Sequence, residues 1–297
     1  MAQKIVPHLW FDKEAVEAAE FYTSVFPDSS IIHKGVIPDT PSGDCDIVSF
    51  SIMNFEFMAI SAGPVFKINP SISFIAEFDP SLRQTLDYVW EKLCKGGEVL
   101  MPVKEYFWSK RSGWVIDKYG VSWQLNLTNP EEEARPRVVP CLLFTDEEGK
   151  AEEAVKFYLS VFGNSRLGRL IRYQEDAGPY RKGDVMFCDF KLAGVWLAAL
   201  NARGAHDSKF NEAVSLIVKC KHQNEIDYLW EKLSAVPEAE QCGWLKDRFG
   251  VSWQIVPEIL DSMMKTEDEE KLARIARAIL RMRKFDIEKL KNAYEGK

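Results

Sequence analysis

Few residues in this chain stand where they could do chemistry together. Its four histidines, His8, His33, His206 and His222, include no pair at i, i+4 spacing, so no helix face offers two imidazoles to a metal. The six cysteines (Cys45, Cys94, Cys141, Cys188, Cys220 and Cys242) are scattered singly with no C-x-x-C. That reads as reduced thiols of a cytoplasmic protein rather than a disulfide frame or a zinc clip. What remains are aromatic and amide side chains on strand-like runs. Side chains alternate faces along a strand, so Val6, His8 and Trp10 share one face, and Ser122, Gln124 and Asn126 share another, with Trp123 opposite. Trp114 and Trp244 precede the last turn of each half; they either wall a pocket with flat apolar surface or pack as core residues.

The elements that position these residues occur twice. FYTSVF at 21–26 returns as FYLSVF at 157–162, DYVWEKL at 87–93 as DYLWEKL at 227–233, and GWVIDKYGVSWQ at 113–124 as GWLKDRFGVSWQ at 243–254. The order is kept while the offsets are 136, 140 and 130, so only loops change length. The repeating unit is therefore a whole domain and not a solenoid turn. Each copy opens on a strand, 5–11 and then 138–144, followed by a helix with Ala15, Ala18, Ala19, Tyr22 and Val25, or Ala151, Ala154, Val155, Tyr158 and Val161, at helical spacing. A hairpin turns near Asn54, and its mate at Ala193-Gly194; a strand at 71–78 leads into the second helix. The closing hairpin turns at Asp117 to Gly120 and again at Asp247 to Gly250, where Asp bonds the turn backbone and Gly supplies positive φ. Each copy is thus two βαβββ modules, an α+β pattern.

Copy one is expected to occupy 1–128, a polar linker NPEEEARPR 129–137, copy two 138–258, and a tail without counterpart 259–297. In the tail, Leu272, Ile275, Ile279 and Met282 form one apolar stripe behind acidic Glu267 to Glu270, and Asp286 caps a second short helix. This tail packs either on its own domain or as a dimer contact. A net charge of −7 argues against nucleic-acid binding, and no apolar run approaches bilayer-spanning length. The N-terminus enters a strand pattern at once, without a signal-peptide layout.

The P-x-L-x-F-D strand, FYxSVF and above all GWxxDxxGVSWQ resemble the PhnB-like family of the vicinal-oxygen-chelate superfamily, whose members also carry the label 3-demethylubiquinone-9 3-methyltransferase. The likeness covers both copies. It implies tandem glyoxalase/bleomycin-resistance-like domains, each of two βαβββ modules curled into a half-open barrel around a cavity. Enzymes of the superfamily hold a divalent metal there. The resemblance puts the ligand positions near Val6 and Val139, Ser71 and Ala213, and Gln124 and Gln254, none of which suits a divalent cation. No metal and no cofactor is expected. The same mapping turns His8, Trp10, Gln124 and Gln254 toward the cavity, with Cys141 where copy one has His8. His8 is the histidine placed for acid–base work, or else a structural histidine beside a proline. Ser61 and Asn201 end equivalent strands, where a polar group can fix a ligand. Trp108, Lys110 and Arg111 belong to extra residues 101–113 of copy one and either close over an anion or sit in a solvated loop.

Four functions fit to different degrees. The expected one is a protein that binds a small molecule in a metal-free cavity. The alternatives are a metal-assisted isomerase or dioxygenase of the superfamily, the methyltransferase of the label, and an interaction protein using its tail. The methyltransferase reading lacks a Gly-rich strand-to-helix turn: Gly96-Gly97 follows a helix instead of opening one. Partners are then a small molecule, with no nucleic acid and no membrane; the two copies are expected to pair internally with pseudo-twofold symmetry, and a homodimer is a further pairing the sequence allows.

Overall fold

The computed structural model describes residues 3–131, 133–146, 149–203 and 208–297, so His206 lies outside the described residues. Copy one runs β1 (Ile5–Phe11), α1 (Ala15–Val25), β2 (Ser30–Thr40), β3 (Gly43–Ile52), β4 (Phe55–Ser61), β5 (Ile72–Phe78), α2 (Arg83–Cys94), β6 (Glu98–Tyr106), β7 (Ser109–Ile116) and β8 (Ser122–Leu127). Copy two runs β9 (Val138–Phe144), α3 (Ala151–Val161), β10 (Arg166–Arg172), β11 (Val185–Leu192), β12 (Val195–Asn201), β13 (Val214–Cys220), α4 (Gln223–Leu233), β14 (Trp244–Lys246) and β15 (Ser252–Pro257). The tail holds α5 (Ile259–Met263), α6 (Glu269–Leu280) and α7 (Ile287–Glu295). No described helix is long and apolar enough to cross a membrane.

The strands form two mixed sheets, ordered β14-β15-β13-β1-β4-β3-β2 and β10-β11-β12-β9-β5-β8-β7-β6. Each sheet joins one module of copy one to one module of copy two. The seams are antiparallel ladders, β1 with β13 and β9 with β5. The second order is the first repeated with the copies exchanged, plus β6 at one edge. The copies therefore pair with approximate twofold symmetry by sharing sheets; three of the four expected βαβββ modules are complete, and the second module of copy two is βαββ, one strand short. Sharing closes the central edges: β1 and β9 each pair with a strand on both sides.

The core lies between the outer faces of the two sheets, where the helices sit. Trp123 on β8 is fully buried against Tyr22 of α1, Phe26 just after that helix and Phe74 of β5, with ring centroids 5.4, 4.8 and 5.4 Å away. Ile5, Leu9 and Phe11 on β1 join this core, which leaves Val6, His8 and Trp10 on the inner face, as strand alternation requires. Turns follow the sequence closely. Met53-Asn54 and Ala193-Gly194 both adopt positive φ, the geometry of a tight two-residue hairpin. In the tail, Asp268 and Asp286 each accept a backbone N–H at the start of α6 and α7.

Candidate functional site

Both copies carry the same buried knot. The Asp117 carboxylate accepts from Tyr22 Oη at 2.8 Å, Trp123 Nε1 at 2.9 Å, and the amides of Tyr119 and Val121. Asp247 does the same with Tyr158 at 2.7 Å, Trp253 at 2.8 Å, and the amides of Phe249 and Val251. The Tyr of one repeated block and the Asp and Trp of the other are thus one hydrogen-bonded unit. The Tyr, Asp and Trp of these motifs hold the core together, while Trp114 and Gln124 at the two ends of the last block face the cavity. Burial pushes the Asp117 carboxyl up to about 6 against these four donors.

The inner faces carry the cavity chemistry. In the eight-stranded sheet, Trp114 lies opposite Gln124 in the β7–β8 ladder, and Gln124 Nε2 donates to Ser73 Oγ at 2.8 Å. Cys141 lies opposite Ser73 across the β9–β5 seam. Burial raises its thiol far above the ordinary range, so it is a neutral, unreactive group. Above this floor is a cavity of about 670 Å³, within the usual size of a small-molecule site. Trp114, Trp196, Phe187 and Tyr173 wall it, and Phe107 and Trp108 reach it from the β6–β7 tip. Burial and the neighbouring Tyr180 push Tyr173 up to about 12, so it stays a neutral phenol.

The arginines along this cavity are paired with carboxylates. Asp189, almost wholly buried, accepts from Arg135 Nε at 3.0 Å and Arg169 Nε at 2.7 Å. Glu133 pairs with Arg135 at 3.0 Å and Arg166 at 2.6 Å. The guanidinium carbons of Arg135 and Arg166 lie 4.0 and 4.7 Å from the centroid of the Trp196 ring. Reading 129–137 as a polar linker missed Arg135, whose side chain is only 7% exposed. One arginine among glutamates and prolines carries no sequence signal of burial.

The other residues singled out in sequence divide clearly. His8, Trp10, Trp244 and Gln254 meet on the inner face of the seven-stranded sheet. The His8 and Trp244 rings are 5.5 Å apart, Trp10 and Trp244 are 6.3 Å apart, and Gln254 Nε2 donates to Ser215 Oγ at 2.9 Å. His8 is buried, its Nδ1 has no hydrogen-bond partner, and desolvation lowers its pKa to about 3. Ser61 and Asn201 do not line the cavity described above. Ser61 Oγ accepts the Ala15 amide and Asn201 Oδ1 the Ala151 amide, each 3.1 Å away, so both serve the N-termini of α1 and α3. Residues 101–113 form most of the β6–β7 hairpin. Trp108 faces the cavity, whereas Arg111 pairs with Asp87 of α2 and Lys110 is exposed.

The superfamily's metal does not fit the residues present. Among the described residues no three of His, Cys, Asp and Glu converge on a point that could hold an ion, and the implied positions carry Val6, Val139, Ser71, Ala213, Gln124 and Gln254. An amide such as Gln124 is a weak, uncharged ligand.

Comparison with known proteins agrees with this architecture. Zea mays glyoxalase I matches with a TM-score of 0.57 over 89% of this chain and 98% of its own, at 12% identity, a likeness of fold. A PhnB protein from Bacillus cereus is 35% identical over 42% of this chain and 100% of its own, with a TM-score of 0.39, as a single-copy protein must be against a double one. No curated protein sequence matches the chain. The profile of the family described as 3-demethylubiquinone-9 3-methyltransferase matches residues 3–126 and again 136–256. The chain belongs to that family, as two tandem copies of its domain, with the fold of glyoxalase I.

Proposed function

We propose that this protein binds a small, uncharged aromatic molecule, without a metal, in the cavity of the eight-stranded sheet. The observation that carries the reading is the pairing of every arginine named there with a buried or rim carboxylate, beside walls of indole and phenyl rings. Arg135 and Arg169 are committed to Asp189, so an incoming anion would have to break charged bonds that are worth several kcal/mol in a buried setting. A flat apolar ligand displaces only water from aromatic surface, at about 25 cal/mol per Å² of area removed from solvent. The Gln124 carboxamide at the floor supplies the polar group that orients it.

The test is equilibrium titration of the full chain with the neutral fluorescent probe N-phenyl-1-naphthylamine. One saturable equivalent is expected. Val139→Trp, which places an indole on the cavity lining, should weaken binding at least tenfold without lowering the melting temperature by more than a few degrees. Absence of saturable binding, or equal binding by Val139→Trp, overturns the reading.

A further inference from the structure

The floor of the open cavity is built twice. On the seven-stranded sheet Trp244 lies opposite Gln254, Gln254 donates to Ser215, and His8 lies opposite Ser215 across the β1–β13 seam. Those four stand where the eight-stranded sheet has Trp114, Gln124, Ser73 and Cys141. Only the last pair differs in type. It differs in the direction of binding, because His8 presents a buried ring nitrogen that nothing satisfies. A buried polar atom without a partner costs about 1–3 kcal/mol. A ligand that bonded it would recover that cost.

What covers the two floors is different. On the eight-stranded sheet, β6 flanks β7 at the sheet's edge. Copy two has no strand equivalent to β6. The tail takes that place: the Cys242 and Gly243 amides donate to the carbonyls of Met282 and Arg283 at 2.8 and 2.7 Å. Phe285 packs on Gly243 so tightly that a Cβ there would collide with its ring. From this anchor α6 reaches the opposite edge of the same sheet and lies against β2. At the near side Lys219 on β13 ties α5 through Asp261 at 3.2 Å, and Val256 on β15 joins the apolar cluster of Leu260, Met263, Ile275 and Phe285. The tail therefore bridges both edges of the half-open barrel whose floor holds His8.

The two attachments are unequal. At the β14 edge there are two backbone hydrogen bonds and a wedged ring. At the β2 edge a cleft of about 680 Å³, lined by Val36, Pro38, Leu272 and Arg277, remains between helix and strand, and of the buried residues of α6, Ile275 packs in the tail's own cluster. An element held firmly at one end and loosely at the other opens at the loose end.

We propose that the seven-stranded sheet carries a second small-molecule site, closed by the chain's own tail, with α6 as a lid that swings from β2 about the anchor at Arg281–Phe285. The site takes the same class of ligand as the open cavity, with one hydrogen-bonding group for His8 Nδ1. This inference rests on the proposed binding function for its ligand class alone; the lid itself is read from the tail.

The experiment titrates N-phenyl-1-naphthylamine, whose N–H can meet His8, into the full chain and into full-chain Phe285→Ala, which frees the anchor. The wild-type chain should bind one equivalent tightly, and Phe285→Ala two. Adding His8→Phe to Phe285→Ala should return the stoichiometry to one, and adding Val139→Trp should leave only the His8 site. Should Phe285→Ala fail to fold, Leu272→Glu, at the loose edge, gives the same test with less disturbance. The same stoichiometry in the folded lid variants as in wild type, or an equivalent gained in them that is indifferent to His8→Phe, overturns the second site. No binding by wild type with one equivalent in the lid variants overturns the proposed open-cavity function and supports the lidded site.

Discussion

Tyr22 on α1 gives its hydroxyl proton to Asp117, 95 residues further along the chain, at 2.8 Å. Tyr158 and Asp247 repeat the bond 89 residues apart at 2.7 Å. Each pair ties the first module of its copy to the last turn of the second. Asp117→Ala would leave a phenol, an indole N–H and two backbone N–H groups buried without an acceptor. At about 1–3 kcal/mol each, the loss reaches at least about 4 kcal/mol, much of the stability of an ordinary domain. Tyr22→Phe removes one donor and leaves three, so about 1 kcal/mol is expected. Urea unfolding of both variants measures the difference; equal losses would contradict the knot.

Much of this knot was legible and one part was not. Asp117 and Gly120 read as turn residues, and the Asp117 Oδ1 bonds to Tyr119 and Val121 bear that out. The strands at 5–11 and 138–144 and the helix cap at Asp286 are local patterns, and they stand where alternation and capping place them. The Tyr22 bond crosses modules, and no periodicity encodes which distant carboxylate a tyrosine will find. The seam between β1 and β13 is hidden for the same reason: a buried apolar strand shows that it has neighbours without showing which. Ser61 and Asn201 illustrate an ambiguity of another kind, since both accept helix N-terminal amides. A polar residue at a strand end fits a ligand contact or a helix cap equally well until the helix is in place.

His8 and Asp117 make opposite contributions to the pH dependence of stability. His8 has its folded pKa lowered to about 3, so between pH 6.5 and 3 the unfolded chain binds a proton that the native one refuses. Stability tied to His8 is therefore present above pH 6.5 and lost as pH falls. Asp117 has its folded pKa raised to about 6 from 3.8, so its contribution grows as pH falls from 6 to 4. His8→Phe removes the first effect, keeps a ring against Trp244, and leaves no orphaned nitrogen. It should stabilise by about 1 kcal/mol at pH 7 and by more at pH 5. Thermal melts at the two pH values decide it; a variant that gains nothing on acidification would show His8 to be protonated in the native state.

Arg135→Met tests the ion cluster. Asp189 would keep Arg169 but lose one guanidinium, and Trp196 would lose one stacked cation. Removing one partner of a fully isolated buried pair costs about 3–5 kcal/mol; with Arg169 retained, about 2 kcal/mol is expected. Arg135→Met combined with Asp189→Leu should recover part of the loss. Double-mutant analysis by chemical denaturation gives the coupling, and strict additivity would mean that the two residues do not interact.

Removal of divalent ions should leave the protein unchanged. Dialysis against a chelator, followed by thermal melting and probe titration, is expected to shift neither the melting temperature nor the affinity. Addition of Mn²⁺, Ni²⁺ or Zn²⁺ is expected to add no stability, whereas a ligand ion present at a hundred times its Kd would add about 2.7 kcal/mol. A stoichiometric ion surviving purification without a histidine tag would return the metal-assisted reading.

The nesting of the sheets bears on how the chain is made. The eight-stranded sheet is one uninterrupted stretch, β5 to β12, while the seven-stranded sheet takes β1 to β4 from the beginning and β13 to β15 from far downstream. On a ribosome the inner sheet has all its strands once Asn201 has emerged. The outer sheet must wait for Pro257, and its cover for the last helix. The first four strands thus spend most of synthesis with β1 lacking a partner on one side, exposed to other nascent chains. The long interval between β1 and β13 makes the duplication a liability during translation, even though it becomes a source of closure once the chain is released.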